Sequence, residues 1–279
     1  MIRLSNVTKE YARTMALDDI SLDIRDKKIY CLLGRNGAGK TTLLKSIAGH
    51  INVNVGTIEV DGQHVDTMKM PADVHFIESG SSHFNAKIID LINMARDLQD
   101  DFDYEFAKNM LTRFKLDKEK KYKQLSFGMQ TMVTTLLSLA SKAKIIILDE
   151  PVLGFDAFMR EQFYDLLQES FDNNPRLIIV STHLIDEIAK VAEDIIIIEK
   201  GKILLNTSIN DIDERAYSLT GITQDVAPFR NKLNVIGEKV VGGFISLFVF
   251  DNRVDPPKDV KLQPLGLQEF FVSLVGRND

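Results

Sequence analysis

The chain has 279 residues, 44% of them hydrophobic and 27% charged, which is an ordinary composition for a folded globular protein. Its 40 acidic and 34 basic residues give a net charge of −6, which argues against a broad nucleic-acid-binding face. The single cysteine, Cys31, excludes an intrachain disulfide, and no apolar run approaches the roughly 20 residues of a membrane-spanning helix.

The first predicted elements are short strands separated by turns. Read from runs of apolar residues, their bounds are 2–4, 20–24, 29–33, 56–62 and 74–77. A helix is expected over residues 42–48, directly after the third strand and a glycine-rich loop. This alternation indicates the first half of an α/β sheet.

Helical spacing replaces the strand pattern between residues 86 and 142, where apolar residues such as Ile88, Leu91 and Ile92 share one face. Strands and one helix then return, at residues 145–148, 157–170 (the helix), 177–180, 195–199 and 203–205. The last two strands are expected to form a hairpin through Gly201. The sequence therefore predicts an α/β core with a helical insertion at about residues 80–142.

The composition changes after residue 205. Residues 228–279 hold four of the seven prolines, beside a Gly242-Gly243 pair and an apolar run. We expect residues 206–279 to form a small α+β appendage with an accessory or regulatory role, ending in a helix over residues 267–275. The predicted division is thus a core of residues 1–205 and an appendage of residues 206–279.

The most informative motif is G-R-N-G-A-G-K-T at residues 34–41, which fits the phosphate-binding pattern G-x-x-x-x-G-K-[ST]. Its glycines allow backbone N–H groups to approach phosphate oxygens, and the following helix directs its N-terminus at them. Lys40 supplies a mobile positive charge and is counted with the catalytic residues, while the Thr41 hydroxyl can ligate Mg²⁺. The expected nucleotide contacts come from Gly34, Asn36, Gly37, Ala38, Gly39, Lys40, Thr41 and Thr42.

A second motif, Asp149-Glu150, follows four aliphatic residues that predict a strand buried on both faces. Asp149 would lie at the carboxyl end of that strand, where ligands bind in open α/β sheets, and is expected to hold Mg²⁺. Glu150 is expected to act as the catalytic base that orients or deprotonates an attacking water. The alternative interpretation, a solvated turn after a strand, leaves the upstream phosphate-binding loop unexplained.

Three further motifs follow in chain order. Residues 125–129 read L-S-F-G-M before an apolar helical pattern, residues 153–156 read L-G-F-D, and residues 181–183 read S-T-H after a predicted strand. Taken singly, Ser126 and Asp156 could be helix N-caps, and His183 could be an ordinary surface or core histidine. Together and in this order, the motifs resemble those of the ATP-binding subunits of ABC transporters, over residues 2–205.

The resemblance implies a P-loop ATPase core and a role for each motif. Ser126 and Gly128 would contact the γ-phosphate of a nucleotide held by the opposite subunit, and Asp156 would be the acid of the D-loop. His183 would sense the γ-phosphate, and Tyr11 would stack on adenine. The signature departs from the family's L-S-G-G-Q, with Phe127 at a glycine position and Met129 in place of glutamine.

One family position differs in charge. Members usually carry glutamine at the end of the strand that enters the helical insertion, where it contacts Mg²⁺, but this strand ends in Glu78-Ser79-Gly80. Glu78 is expected to occupy the position and to face the metal, with Ser79 as the alternative after a one-residue shift. A carboxylate there predicts weaker ATP binding, or a stronger requirement for Mg²⁺, than glutamine would give.

The resemblance predicts an ATP hydrolase that uses ATP and Mg²⁺ and powers a separate integral membrane permease from the cytoplasmic face of the membrane. Two copies, or this chain and a paralogue, would enclose two nucleotides head to tail. The modified signature and the missing glutamine are similar to those of bacterial exporters of peptides or antimicrobial compounds.

Two other function classes remain open from the sequence. The first is a non-transport ATPase of the same type that acts on the ribosome or nucleic acid, which the acidic balance disfavours. The second is a small-molecule kinase, which would leave residues 125–129, Asp156 and His183 without a function.

Overall fold

The computed structural model describes residues 1–80 and 83–277. Its strands, in chain order, are β1 (Ile2–Tyr11), β2 (Thr14–Ile24), β3 (Ile29–Leu33), β4 (Val55–Val60), β5 (Gln63–His64), β6 (Val74–Glu78), β7 (Ile145–Asp149), β8 (Leu177–Ser181), β9 (Asp194–Glu199), β10 (Lys202–Ser208), β11 (Ala216–Ile222), β12 (Val235–Val241), β13 (Phe244–Phe250) and β14 (Lys261–Pro264).

The α-helices are α1 (Lys40–Ile47), α2 (Ile88–Leu98), α3 (Tyr104–Arg113), α4 (Phe127–Ala140), α5 (Ala157–Asn173), α6 (Ile185–Ile188), α7 (Ile209–Arg215), α8 (Thr223–Val226) and α9 (Leu267–Gly276). No helix in the described part of the chain combines the length and apolarity that crossing a membrane requires.

The central sheet has six strands in the order β10-β9-β3-β8-β7-β6. All neighbours are parallel except β10, which forms an antiparallel hairpin with β9. Strands β3, β7 and β8 are buried along their whole length, which explains their unbroken aliphatic sequences. Because the strands are parallel, the carboxyl ends of β3, β6, β7 and β8 meet at one edge of the sheet, and the predicted α/β core is confirmed.

A four-stranded antiparallel sheet, β2-β1-β4-β5, and helix α1 cover one face of the central sheet through a shared apolar core. Strands β1 and β2 are longer than the sequence predicted. The pairing of β1 with β2 contains register shifts, the first of them between Leu4 and Val7, and φ is positive at Asn6 and Asp19. These irregularities interrupt the alternation of apolar and polar residues by which strands are identified from sequence. Ala16 in β2 lies against Gly39 of the glycine-rich loop at residues 34–39.

The predicted helical insertion lies between β6 and β7 and consists of α2, α3 and α4. Helix α4 is buried along most of its length and packs against α2, α3 and the central sheet. It begins at Phe127, within the signature motif at residues 125–129. The Phe127 ring lies close to Gly80, so the insertion carries this motif near the end of β6.

The C-terminal region forms a third, antiparallel sheet in the order β12-β13-β11-β14, with α9 against β12. Its α+β character was predicted, but its relation to the core was not. Residues of this region, among them Ile212, Phe250 and Phe270, belong to the same hydrophobic cluster as α4, α5 and one face of the central sheet. Strand β10 also runs to Ser208, beyond the predicted boundary at 205/206. The division into two domains and the regulatory role of the second stay predictions.

A buried arginine ties the C-terminal end of α4 to the sheet. Arg176 is 3% exposed and donates hydrogen bonds to the carbonyl oxygens of Ser141 (2.6 Å) and Leu139 (2.8 Å) and to the Ser170 hydroxyl (2.7 Å). Burial lowers the pKa of Arg176 to about 10, so the group remains charged at neutral pH. The partially negative C-terminal end of the helix stabilises that charge.

Replacing Arg176 with methionine is therefore expected to lower the free energy of unfolding by about 3 kcal/mol, because two buried carbonyl groups lose their donor. Urea denaturation measures the loss. The matched control is Arg113→Met, which removes partly exposed ion pairs to Asp165 and Glu169 and should change the stability by less than about 1 kcal/mol. Equal small losses for both variants would contradict this account of Arg176.

Candidate nucleotide-binding site

The glycine-rich loop between β3 and α1 is packed so closely that two of its glycines cannot be replaced. A Cβ atom at Gly34 would lie 2.4 Å from the carbonyl oxygen of Ile198, and one at Gly39 would lie 2.4 Å from that of Ala16. Gly39 also has a φ of 110°, which side chains rarely adopt. The neighbouring strands β2 and β9 thus fix the loop, and α1 begins directly after it at Lys40.

Lys40 lies inside this loop rather than in solvent. It is 8% exposed, and its ammonium group donates a hydrogen bond to the carbonyl oxygen of Gly34 at 2.7 Å. A second, longer contact joins it to the carbonyl oxygen of Arg35 at 3.4 Å. A positive charge is therefore held among the backbone groups that the sequence assigned to phosphate binding.

Asp149 and Thr41, both predicted to hold Mg²⁺, are in direct contact. The Thr41 hydroxyl donates to Asp149 Oδ2 at 2.6 Å, and the Ser181 hydroxyl donates to Oδ1 at 2.5 Å. Asp149 and Ser181 are register partners in the parallel pair β7 and β8, so both side chains end at the same edge of the sheet. Ser181 was not predicted as a site residue, because only the adjacency of β7 and β8 in the folded sheet brings it to Asp149.

Glu150 is held in position from both neighbouring strands. Its N–H donates to the carbonyl oxygen of Ser181 at 3.0 Å, and its own carbonyl accepts from the Ser79 hydroxyl at 2.6 Å. Its φ of 51° lies in the left-handed region, which costs about 1–2 kcal/mol for a non-glycine residue. The side chain reaches His183, with Oε2 2.9 Å from Nδ1.

Lys40, Thr41, Asp149 and Glu150 line one cavity of about 370 Å³. Its lining consists of Thr14, Ala16, residues 35–42, Asp149 and Glu150. Most of the predicted nucleotide contacts in the glycine-rich loop, including Asn36, Ala38 and Thr42, therefore lie together with the two acidic residues. A cavity with a lysine, a hydroxyl and two carboxylates suits a phosphate-bearing ligand and a hard cation.

Seven predicted site residues are absent from the described lining of this cavity: Tyr11, Gly34, Glu78, Ser126, Gly128, Asp156 and His183. Tyr11 ends β1 and is 46% exposed, with the Lys9 ammonium group 4.9 Å from its ring centroid. Ser126 accepts from the Met129 N–H at 3.4 Å, and Asp156 accepts from the Met159 N–H at 2.8 Å. Ser126 and Asp156 are thus the N-caps of α4 and α5, whatever further role each has.

The signature substitution Phe127 has a structural consequence. A Cβ at Gly80 or Gly154 would lie 2.7 Å or 2.9 Å from the Phe127 ring, so both glycines leave room for it. Gly128, next in sequence, packs against the carbonyl oxygen of Gly154. The start of α4, the loop after β6 and the loop before α5 are therefore in mutual contact through one aromatic ring.

Glu78 does not stand alone at the end of β6. Its Oε1 lies 2.8 Å from the Lys45 ammonium group, and both side chains are about one-third exposed (31% and 30%). Glu78 is the register partner of Asp149 in the neighbouring strand β7. Ser79, the alternative candidate, instead directs its hydroxyl to the Glu150 carbonyl. Lys45 was not predicted as part of the site.

The oxygen donors at Thr41 and Asp149 fit a magnesium ion that is bound together with phosphates. Magnesium is usually held by one or two carboxylates plus substrate phosphate oxygens and waters, rather than by a cage of protein ligands. Residues 1–80 and 83–277 contain no group of three or more histidine, cysteine or acidic side chains that could hold a metal ion. The converging Thr41 and Asp149 oxygens are the donor set that such a phosphate-bound ion needs.

Fold and site together define a P-loop nucleotide-binding protein. The sequence model that describes ABC transporters matches residues 17–153. The uncharacterized ABC transporter ATP-binding protein MJ1023 of Methanocaldococcus jannaschii is 31% identical over 221 residues, covering 76% of this chain and 79% of that protein. The chain therefore belongs to the ABC transporter family, as an ATP-binding subunit that hydrolyses ATP.

Other similarities refine this picture without fixing a substrate. The lantibiotic transport ATP-binding protein SrtF of Streptococcus pyogenes is 28% identical, over 74% of this chain and 90% of its own length. The taurine import ATP-binding protein TauB of Shigella sonnei is 29% identical, over 72% and 80%. Among solved structures, the dimeric ATP-binding cassette MJ0796 with ADP and Pi has a TM-score of 0.65 at 22% identity, over 75% of this chain and 99% of that one, which supports the fold alone.

Proposed function

We propose that the chain is the motor subunit of a transporter that exports peptides or antimicrobial compounds, and that it works as half of a dimer. One observation supports the proposed dimer. The nucleotide cavity is lined by residues 35–42, Asp149 and Glu150, whereas exposed Ser126 at the start of α4 is not among its described lining residues. If the γ-phosphate contacts both the cavity residues and Ser126, Ser126 must come from a second chain, either an identical copy or a paralogue.

The side chains suggest how ATP would be hydrolysed. Backbone N–H groups of residues 37–41 and the Lys40 ammonium would hold the phosphates, and a bound Mg²⁺ would neutralise charge on them. Glu150, a lining residue of the cavity, would accept a proton from the attacking water. His183, in contact with Glu150, would report whether the γ-phosphate is present. Ser126 and Gly128 of the second chain would complete the site.

The chain would act on a membrane through a partner. The proposed substrate path lies in a separate integral permease, as the resemblance to ATP-binding subunits of ABC transporters implies. Since ATP is the fuel, we place the pair of ATP-binding subunits at the cytoplasmic face of that permease. The proposed partners are a permease and a second ATP-binding subunit, with no role for nucleic acid.

The proposal of export rests on two supports. SrtF is named for lantibiotic transport, and this chain spans most of its length. In addition, Glu78 stands where the family usually has glutamine, and the signature carries Phe127 and Met129. TauB is named for import, so the direction of transport is the part of the proposal that most needs an experiment.

A deletion strain tests the function. We expect loss of the gene to increase sensitivity to amphipathic antimicrobial peptides, and we expect the wild-type chain, but not Glu150→Gln, to restore resistance. Affinity purification from solubilised membranes should recover a polytopic membrane protein. Unchanged peptide sensitivity would reject peptide export. Co-sedimentation with ribosomes, without any membrane protein, would favour the alternative of a non-transport ATPase.

A further inference from the structure

We propose that Lys45 is a positioning residue that neutralises Glu78, so that a carboxylate can occupy the glutamine position without repelling the nucleotide. The inference rests on the proposed function of the Thr41–Asp149 edge as the magnesium and phosphate site. It concerns the ion pair between α1 and β6, whose charged atoms are 2.8 Å apart.

The position of Lys45 follows from helix geometry. It lies four residues after Thr41 in α1, so the two side chains lie on the same face, one turn apart. Glu78 is the last residue of β6 and pairs in register with Asp149 of β7, which accepts the Thr41 hydrogen bond. The Lys45–Glu78 pair is therefore the neighbour of the Thr41–Asp149 pair, on the same edge of the sheet.

The Lys45–Glu78 pair matters because of the negative charge at this edge of the sheet. Glu78, Asp149 and Glu150 bring three carboxylates to an edge that is proposed to receive a triphosphate. Lys40 supplies one positive charge at the glycine-rich loop, where its ammonium group donates to the Gly34 carbonyl. Lys45 is a cation in direct contact with Glu78, and its removal would leave an additional negative charge facing the phosphates. The Glu78 carboxylate and the phosphates would repel each other, and a metal ion between them would weaken that repulsion.

The competing view is that Lys45–Glu78 is an ordinary surface ion pair. Partly exposed pairs contribute little to stability, so the unfolding free energy does not separate the two views. Nucleotide affinity does, because the proposal predicts effects of opposite sign for removing Lys45 and for removing Glu78. A purely structural pair would change the affinity in the same direction whichever partner is lost.

The experiment measures the dissociation constant of a fluorescent ATP analogue in EDTA and in excess Mg²⁺. In EDTA, Lys45→Met is expected to weaken binding about tenfold and Glu78→Gln to strengthen it a few-fold. The double variant should return to within about twofold of the wild type, and Lys45→Arg should resemble the wild type. In Mg²⁺ the effect of Lys45→Met should shrink, because the metal offsets the added charge.

The chain offers a matched control. Lys144 and Asp73 form a more exposed ion pair, 2.6 Å apart, directly before β7 and β6, at the end of these strands opposite to Glu78 and Asp149. Lys144→Met should leave nucleotide affinity unchanged. Equal affinity of Lys45→Met and wild type, or equally weak binding by Lys45→Met and the double variant, would overturn the inference. A wild type that fails to bind the analogue at all would instead reject the proposed function.

Discussion

Glu150→Gln is expected to bind ATP with nearly unchanged affinity and to form a stable ATP-bound dimer, while its hydrolysis rate falls at least about a hundredfold. The amide has the same shape as the carboxylate but cannot accept a proton from water. Its carbonyl oxygen can still face His183, whose Nδ1 lies 2.9 Å from Glu150 Oε2. Phosphate release measures the rate, and light scattering with and without ATP measures the dimer.

A second acidic residue serves as the control for this variant. Glu161 lies exposed on α5, outside the described lining of the nucleotide cavity, so Glu161→Gln should hydrolyse ATP at the parent rate. If Glu150→Gln also hydrolyses ATP at the parent rate, Glu150 is not the catalytic base. A variant that loses both ATP binding and hydrolysis would likewise contradict the assignment, because it would show a role in binding.

Lys40→Met is expected to weaken ATP binding by about ten- to a hundredfold, since a charge-assisted contact to phosphate contributes about 1.5–3 kcal/mol. The structure holds this ammonium inside the glycine-rich loop, 2.7 Å from the Gly34 carbonyl. Ligand binding raises the melting temperature of the native state, so the variant should also lose the stabilisation that ATP gives the parent protein.

Calorimetric titration of ATP measures the effect, and Lys142→Met provides the comparison. Lys142 pairs with Asp101 at the far end of α4 and lies outside the described lining of the cavity. Its variant should bind ATP as the parent does. Unchanged affinity in Lys40→Met would remove the glycine-rich loop from the binding site.

The fold and most of the cavity could be predicted because their signals are local in sequence. The glycine-rich loop is a contiguous motif, and the strand before Asp149 is an unbroken aliphatic run. Because the strands of such a sheet are parallel, Thr41, which follows β3, and Asp149, which ends β7, are expected at the same edge of the sheet. The fold class and the assignment to the ABC transporter family are confirmed, whereas the roles of the individual site residues stay predictions.

The residues that the sequence missed depend on strand order and packing. Ser181 reaches Asp149 only because β8 is next to β7, and Lys45 reaches Glu78 only because β6 is the other neighbour. No local pattern encodes these pairings. Likewise, the change in composition after residue 205 predicted a separate C-terminal region. In the structure, however, side chains of that region and of the core pack into one hydrophobic cluster.

A mixing experiment tests most directly the claim that each nucleotide site is built from two chains. Lys40→Met should be inactive, and so should Ser126→Asp, which retains an N-cap for α4 but places a negative charge toward the γ-phosphate. A mixed dimer of the two contains one site with both defects and one intact site. Equal mixing should therefore restore up to roughly one quarter of the parent ATPase activity, as the symmetry of a two-site dimer requires. An ATPase rate in the mixture that equals the mean of the two separate variants would contradict the account.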